Sequence, residues 1–215
     1  MTTPSLATAF LETVEASLRL ADRDEVRDAW ARESSCAGMT VGGLTHHLLA
    51  QAGNTVRLLQ TQTPADAEVI ALLQHYERAS WVRDSQAGQT DPEQTDKDNA
   101  AAEVGPDVVL ELGHEWLAQL PAVLAVPRDP DTVFIPWQGW ALATDDFLTT
   151  RLMELVVHGD DLASSVGLAT PTYPDAALAP VFALLTGVAA RRHGATALIR
   201  ALSRPQRAPR MISAF

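Results

Sequence analysis

An all-α helical bundle is the fold this chain predicts, on three observations. Apolar residues recur every three or four positions along most of its length. Proline, glycine and serine clusters interrupt those runs where helices would start and stop. Only one segment, Thr132-Val-Phe-Ile135, is β-branched and aromatic enough to suggest a short strand.

The elements follow in order. Leu6, Phe10, Val14 and Leu18 mark a first helix capped by Ser5, and Val26 and Trp30 resume the pattern after a kink near Asp22. Ser34-Ser-Cys-Ala-Gly38 breaks it. Thr40 then reads as the N-cap of a second helix with Val41, Leu44, Leu48, Val56 and Leu59 on one face. Thr63-Pro64 is expected to open a third, because proline is tolerated in a first turn. Its apolar residues would be Val69, Leu72, Leu73, Tyr76 and Trp81. Ser85 to Asn99 is polar and reads as an exposed loop. A helix from Ala100 to Leu124 follows, with Pro106 as an alternative start. Pro127 to Ala143 reads as a short strand or an extended crossover. Thr144 or Asp145 can cap a helix running to Gly167, which suits the residue after a helix end. Asp175–Arg192 and Ala195–Leu202 complete the set, ahead of a basic tail.

At 215 residues and 47% hydrophobic, the chain is long enough for one domain with a sizeable core. A net charge of −11 excludes nucleic acid as a natural partner and disfavours an anionic membrane surface. The single cysteine, Cys36, permits no internal disulfide. With no apolar run fit to span a membrane and no basic leader, the expected location is the cytoplasm.

Chemistry concentrates in two stretches. In the helix before Gly167, Phe147, Arg151, Glu154, His158, Asp161 and Ser165 fall on one stripe at about 100° per residue. Two accounts stand. The stripe is the solvated face of an amphipathic helix, with Glu154 and His158 an ordinary i,i+4 pair, or it faces a cavity and binds a metal. The second helix carries His46-His47, and helical phase does not choose between them. Two imidazoles and a carboxylate suit a zinc site with an open position, and nickel or iron also accept such a set. Asp161 could orient a ligand imidazole. Cys36 lies in a serine- and glycine-rich break with no basic neighbour in sequence, so it is not the expected nucleophile.

Thr40-Val-x-x-Leu44-x-x-His47-Leu48, with Arg151-x-x-Glu154-x-x-x-His158-Gly-x-Asp161-Leu162, resembles the amino-terminal domain of mycothiol-dependent maleylpyruvate isomerases, within the DinB-like group of metal-binding bundles. Arg192-His-Gly194, Ile199-Arg-Ala-Leu-Ser-Arg204 and the terminal Ser-Ala-Phe215 extend the likeness. The resemblance implies a four-helix bundle with a long crossover between its second and third helices. It implies a divalent metal, Zn2+ before Ni2+ or Fe2+, held by His47, Glu154 and His158, with Asp161 beside them; His46 is only the neighbour. The chain departs from the pattern at Met39, where tryptophan is usual, and at Gly42 and Gly43, where charge is common. It ends soon after its last helix, so one domain over residues 1–215 is expected. The separate carboxy-terminal domain of full-length isomerases is not expected, which favours an electrophile other than maleylpyruvate.

Three functions follow from these readings. The first is a thiol-dependent transferase or isomerase that joins a low-molecular-weight thiol such as mycothiol to a small electrophile. Arg151, with Arg191, Arg192 and Arg200 as looser candidates, would hold an anionic substrate, and Asp161 would act beside the metal. The second is metal-assisted hydrolysis with Asp161 or His46 as base. The third is a non-catalytic metal-binding bundle. Trp81, Trp137 and Trp140 are candidate exposed aromatics that leave a homodimer open.

Overall fold

The computed structural model describes residues 5–86 and 91–215. Helices α1 (Leu6–Ala21), α2 (Asp24–Asp28) and α3 (Val41–Gln60) come first. Next are α4 (Leu72–Arg78), α5 (Ser80–Gln86), α6 (Pro92–Ala102) and α7 (Pro106–Leu124). Strands β1 (Thr132–Ile135) and β2 (Trp140–Ala143) form an antiparallel hairpin that pairs Thr132 with Ala143 and Ile135 with Trp140. Helices α8 (Thr144–Val166), α9 (Asp175–His193) and α10 (Ala195–Ser203) complete the order. The fold is mostly helical, as expected.

Four long helices form a ring: α1 packs on α7 and α8, and α3 packs on the same two. The four-residue spacing of Phe10, Val14 and Leu18 buries one side of α1, and Leu44, Leu48 and Leu58 do the same for α3. Leu148, Leu152, Leu155 and Leu162 meet them from α8. Each fully buried Leu or Phe contributes about 1.5–3 kcal/mol. Ser5 caps α1 through Thr8 N, at 3.2 Å, and Thr40 caps α3 through Gly43 N, at 2.9 Å. Gly167 takes the left-handed conformation at the end of α8, with φ 72°. At the other end of α3, the Arg128 guanidinium donates to the carbonyls of Leu59, Thr61 and Thr132. No helix among the described residues is long and apolar enough to cross a membrane.

Two elements differ from expectation, each because tertiary pairing or a cap outweighs local pattern. The third helix does not start at Pro64. Residues before Leu72 are extended: Ile70 N donates to Ala141 O at 3.0 Å, Ala141 N to Glu68 O at 2.8 Å, and Thr63 Oγ1 to Thr132 O at 2.9 Å. Val69 is therefore an exposed edge residue, and Trp81 belongs to the separate α5. The expected loop from Ser85 to Asn99 is largely helical. Asp91 caps α6 by accepting from Gln94 N at 3.1 Å, and Pro92 fills its first turn; residues 87–90 lie outside the described ones. Of the two starts offered for the next helix, Pro106 is the one taken: Gly105, at φ 92°, is its N-cap, and Ala100 belongs to the end of α6. The extended segment after Pro127 is a hairpin, and the long crossover is residues 61–105, between α3 and α7. Of the candidate surface tryptophans only Trp137 is exposed; Trp140 donates to His75 Nδ1 at 3.1 Å and Trp81 packs on Tyr76 and Phe215.

Candidate metal centre

The two sequence stretches meet between α3 and α8. The stripe on α8 faces α3 rather than open solvent: His47 Nε2 lies 3.5 Å from Glu154 Oε2, and His158 Nε2 lies 3.3 Å from the same oxygen. The two imidazole rings stand edge to face with centroids 4.8 Å apart. Donor atoms of His47, Glu154 and His158 all lie within 4.8 Å of one another. His46 is not in that group and reaches Asp98 through Nδ1.

What orients the imidazoles is a pair of carboxylates. Asp161 Oδ2 accepts from His158 Nδ1 at 3.0 Å, one turn along the same helix. Asp98 Oδ2 accepts from His47 Nδ1 at 2.7 Å, and its Oδ1 accepts from His46 Nδ1 at 2.8 Å. Gln94 Nε2 adds a third donor at 2.7 Å. With Nδ1–H fixed on a carboxylate, each ligand candidate offers Nε2 to the space beside Glu154. That is the arrangement metal-ligating histidines favour.

Asp98 was missed in the sequence because it sits in a segment polar enough to pass for a loop. Its signal was local: Asp91-Pro92 reads as a helix start, which would have placed Asp98 on a helix. The glycines of Thr40-Val-Gly-Gly explain how α6 comes so close. A Cβ on Gly42 would lie 2.6 Å from the Trp30 indole, and one on Gly43 would overlap Asn99 Oδ1. Trp30 Nε1 donates to Ala102 O at 3.0 Å, and Asn99 Oδ1 accepts from Thr40 N at 2.9 Å. The departures at Gly42 and Gly43 thus make room for the helix that carries Asp98.

Electrostatics follow from these contacts. Burial pushes the Glu154 carboxyl up, but hydrogen bonds with His158 and His47 outweigh it and leave its pKa well below the ordinary value. Burial works against a charged His158, yet Asp161, Cys36 and Glu154 together raise its pKa well above the usual 6.5. His47 is raised in the same way, by Asp98 and Glu154 against burial. Asp98 is lowered, because its two histidine partners overcome burial. Protons shared between the imidazoles and Glu154 thus lie where a cation would be held, and the two compete.

Arg151 sits beside this set. Its Nη1 donates to Gln51 Oε1 at 2.6 Å, and Gln51 Nε2 lies 3.4 Å from His47 Nε2. The looser arginine candidates are engaged elsewhere: Arg191 pairs with Glu77 at 3.6 Å, Arg192 holds Ser213, and Arg200 is exposed on α10. Cys36, without a partner in sequence, has one in space. Its Sγ lies 3.5 Å from Asp161 Oδ2, and the 34–39 loop is tied to α8 by Ser35 N to Ser165 Oγ at 2.9 Å. A cavity of about 320 Å3 by Leu59, Arg128 and Leu148 contains none of these residues.

No curated protein and no solved structure matches the chain. The family model described as the mycothiol maleylpyruvate isomerase N-terminal domain matches residues 10–163, a span that takes in both histidine-bearing stretches and Asp98, and the chain belongs to that family.

Proposed function

We propose that the chain is a divalent-metal-binding enzyme that uses a low-molecular-weight thiol such as mycothiol to isomerise or conjugate a small electrophile. The observation that carries this reading is the pairing of both ligand imidazoles with carboxylates, which leaves two Nε2 atoms and Glu154 Oε2 converging. His47, Glu154 and His158 would hold the cation, and zinc fits two imidazoles and a carboxylate. A cation there supplies Lewis acidity, which lowers the pKa of a bound thiol so that thiolate is available at neutral pH.

The chain's own residues do the rest. Asp98 and Asp161 keep the imidazoles in one tautomer. Arg151 is held by Gln51 and places a fixed positive charge near Glu154, suited to a carboxylate or enolate on the substrate. Asp161 accepts from both His158 and Cys36 and stands ready to take a proton on the thiol side. Sulfur adds to an electrophilic carbon, the resulting single bond rotates, and elimination returns the thiol and the isomerised product. Where the carbon bears a leaving group, displacement gives the S-conjugate.

The test is elemental analysis of wild type and His158→Ala, followed by assays with mycothiol and maleate as a model electrophile. About one cation per chain is expected in the wild type and far less in the variant. An unchanged metal content in His158→Ala would sink the assignment. Turnover of maleate that persists without thiol would overturn the thiol-dependent reading.

A further inference from the structure

Charge is segregated along this chain. Residues 176–215 contain six arginines and no acidic residue, while the first 175 residues hold ten basic against 27 acidic side chains. The exposed part of that basic segment is also apolar. No residue of α10 is buried, and Ile199 and Leu202, three positions apart, are 64% and 70% exposed. Arg200, Arg204, Arg207 and Arg210 are exposed around them. An isolated apolar side chain on a surface is unremarkable; a basic arm with an apolar stripe is an interaction surface in search of a partner.

The complementary surface lies on the same molecule. At the start of α7, Val104 and Val108 are exposed, at 56% and 44%. Glu103, Glu111 and Glu115 are exposed beside them, with Val108, Glu111 and Glu115 on one face of the helix. Asp107 is already paired with Arg27. Within one chain α10 packs on α9 and the turn that follows it, and the α7 stripe stays open.

We propose that the basic arm, α10 and the arginines after it, docks onto the acidic α7 stripe of a second copy of this chain. Ile199 and Leu202 would cover Val104 and Val108, and the arm's arginines would meet Glu103, Glu111 and Glu115. Reciprocal docking, with each arm still anchored to its own chain by Ser213 and Phe215, closes a two-fold pair with two identical contacts. Charges at the rim of such a contact steer association and weaken with salt, because the screening length falls from about 10 Å at 0.1 M to about 3 Å at 1 M.

Sedimentation equilibrium of the full chain, at low and at high sodium chloride, tests this. A concentration-dependent dimer that dissociates in high salt is expected. Arg207→Glu and Glu111→Arg should each weaken it about tenfold or more, and mixing the two variants should restore it, because in the mixed pair one contact is native and the other carries the reversed charges. Circular dichroism matching the wild type shows that neither variant has lost its fold. A chain that is monomeric at every concentration and salt overturns the proposal, as does a dimer that ignores both salt and the charge reversals. Monomers that instead co-sediment with phosphatidylglycerol vesicles, and not with phosphatidylcholine vesicles, also overturn it and assign the arm to a lipid surface.

Discussion

Replacing Asp98 by asparagine keeps the shape of the side chain and removes its charge. The carboxylate is 1% exposed and accepts three hydrogen bonds, from His46 Nδ1, His47 Nδ1 and Gln94 Nε2. An amide offers one acceptor oxygen, so one imidazole must face an N–H or flip. A hydrogen bond to a charged group is worth about 1.5–3 kcal/mol, so stability without metal should fall by about 2–4 kcal/mol. Loss of a carboxylate that orients a ligand histidine typically costs ten- to a hundredfold in metal affinity, about 1.4–2.7 kcal/mol. The pH dependence carries a further signature. The folded pKa of Asp98 lies below its unfolded value, so its contribution is present above about pH 4 and is lost as the pH falls further. Asp98→Asn should lack that loss. Zinc competition against a fluorescent chelator, and urea unfolding in EDTA between pH 3 and 7, read both effects. Zinc affinity within twofold of wild type would refute the claim that Asp98 orients His47.

Other consequences can be checked separately. His75 is 4% exposed, and burial together with the positive charge of Arg151 lowers its pKa from 6.5 to about 4. A folded pKa below the unfolded one means stability is full above pH 6.5 and lost as the pH falls toward 4. At about 1.4 kcal/mol per pH unit the loss reaches roughly 3 kcal/mol, and His75→Gln should flatten the stability profile across that window. The Tyr76 hydroxyl is buried and has no hydrogen-bond partner among the described residues. Tyr76→Phe should therefore leave Tm unchanged or raise it, and a loss above about 1 kcal/mol would reveal a partner. Gly43→Ala gains about 1 kcal/mol of helix propensity, but its methyl would meet Asn99 Oδ1, so net loss of stability and of metal affinity is expected by calorimetry and chelator competition.

The helices that build the ring were legible because their apolar spacing survives in a single reading frame; α1, α3 and α8 each start or stop at a residue whose cap chemistry is visible in sequence. His47, Glu154, His158 and Asp161 were legible through the family likeness, while helical phase alone left the stripe between a wet face and a metal site. The crossover was read less well. Residues 64–71 contain good helix formers, yet their backbone pairs with β2, and nothing local announces a partner seventy positions away. Asp98 was missed because its segment is polar enough to pass for a loop, and the partner of Cys36 was invisible because Asp161 lies 125 positions away.

That distance has a kinetic consequence. His47 meets Asp98 across 51 positions, Arg151 meets Gln51 across 100, and Cys36 meets Asp161 across 125. Contacts of such high order must wait until long loops have closed, whereas the local turns of α3 and α8 form first. The site is therefore expected to assemble late in folding. A cation that binds only the assembled site would leave the refolding rate unchanged and slow unfolding, so its stabilisation would appear almost entirely as a longer lifetime of the native chain.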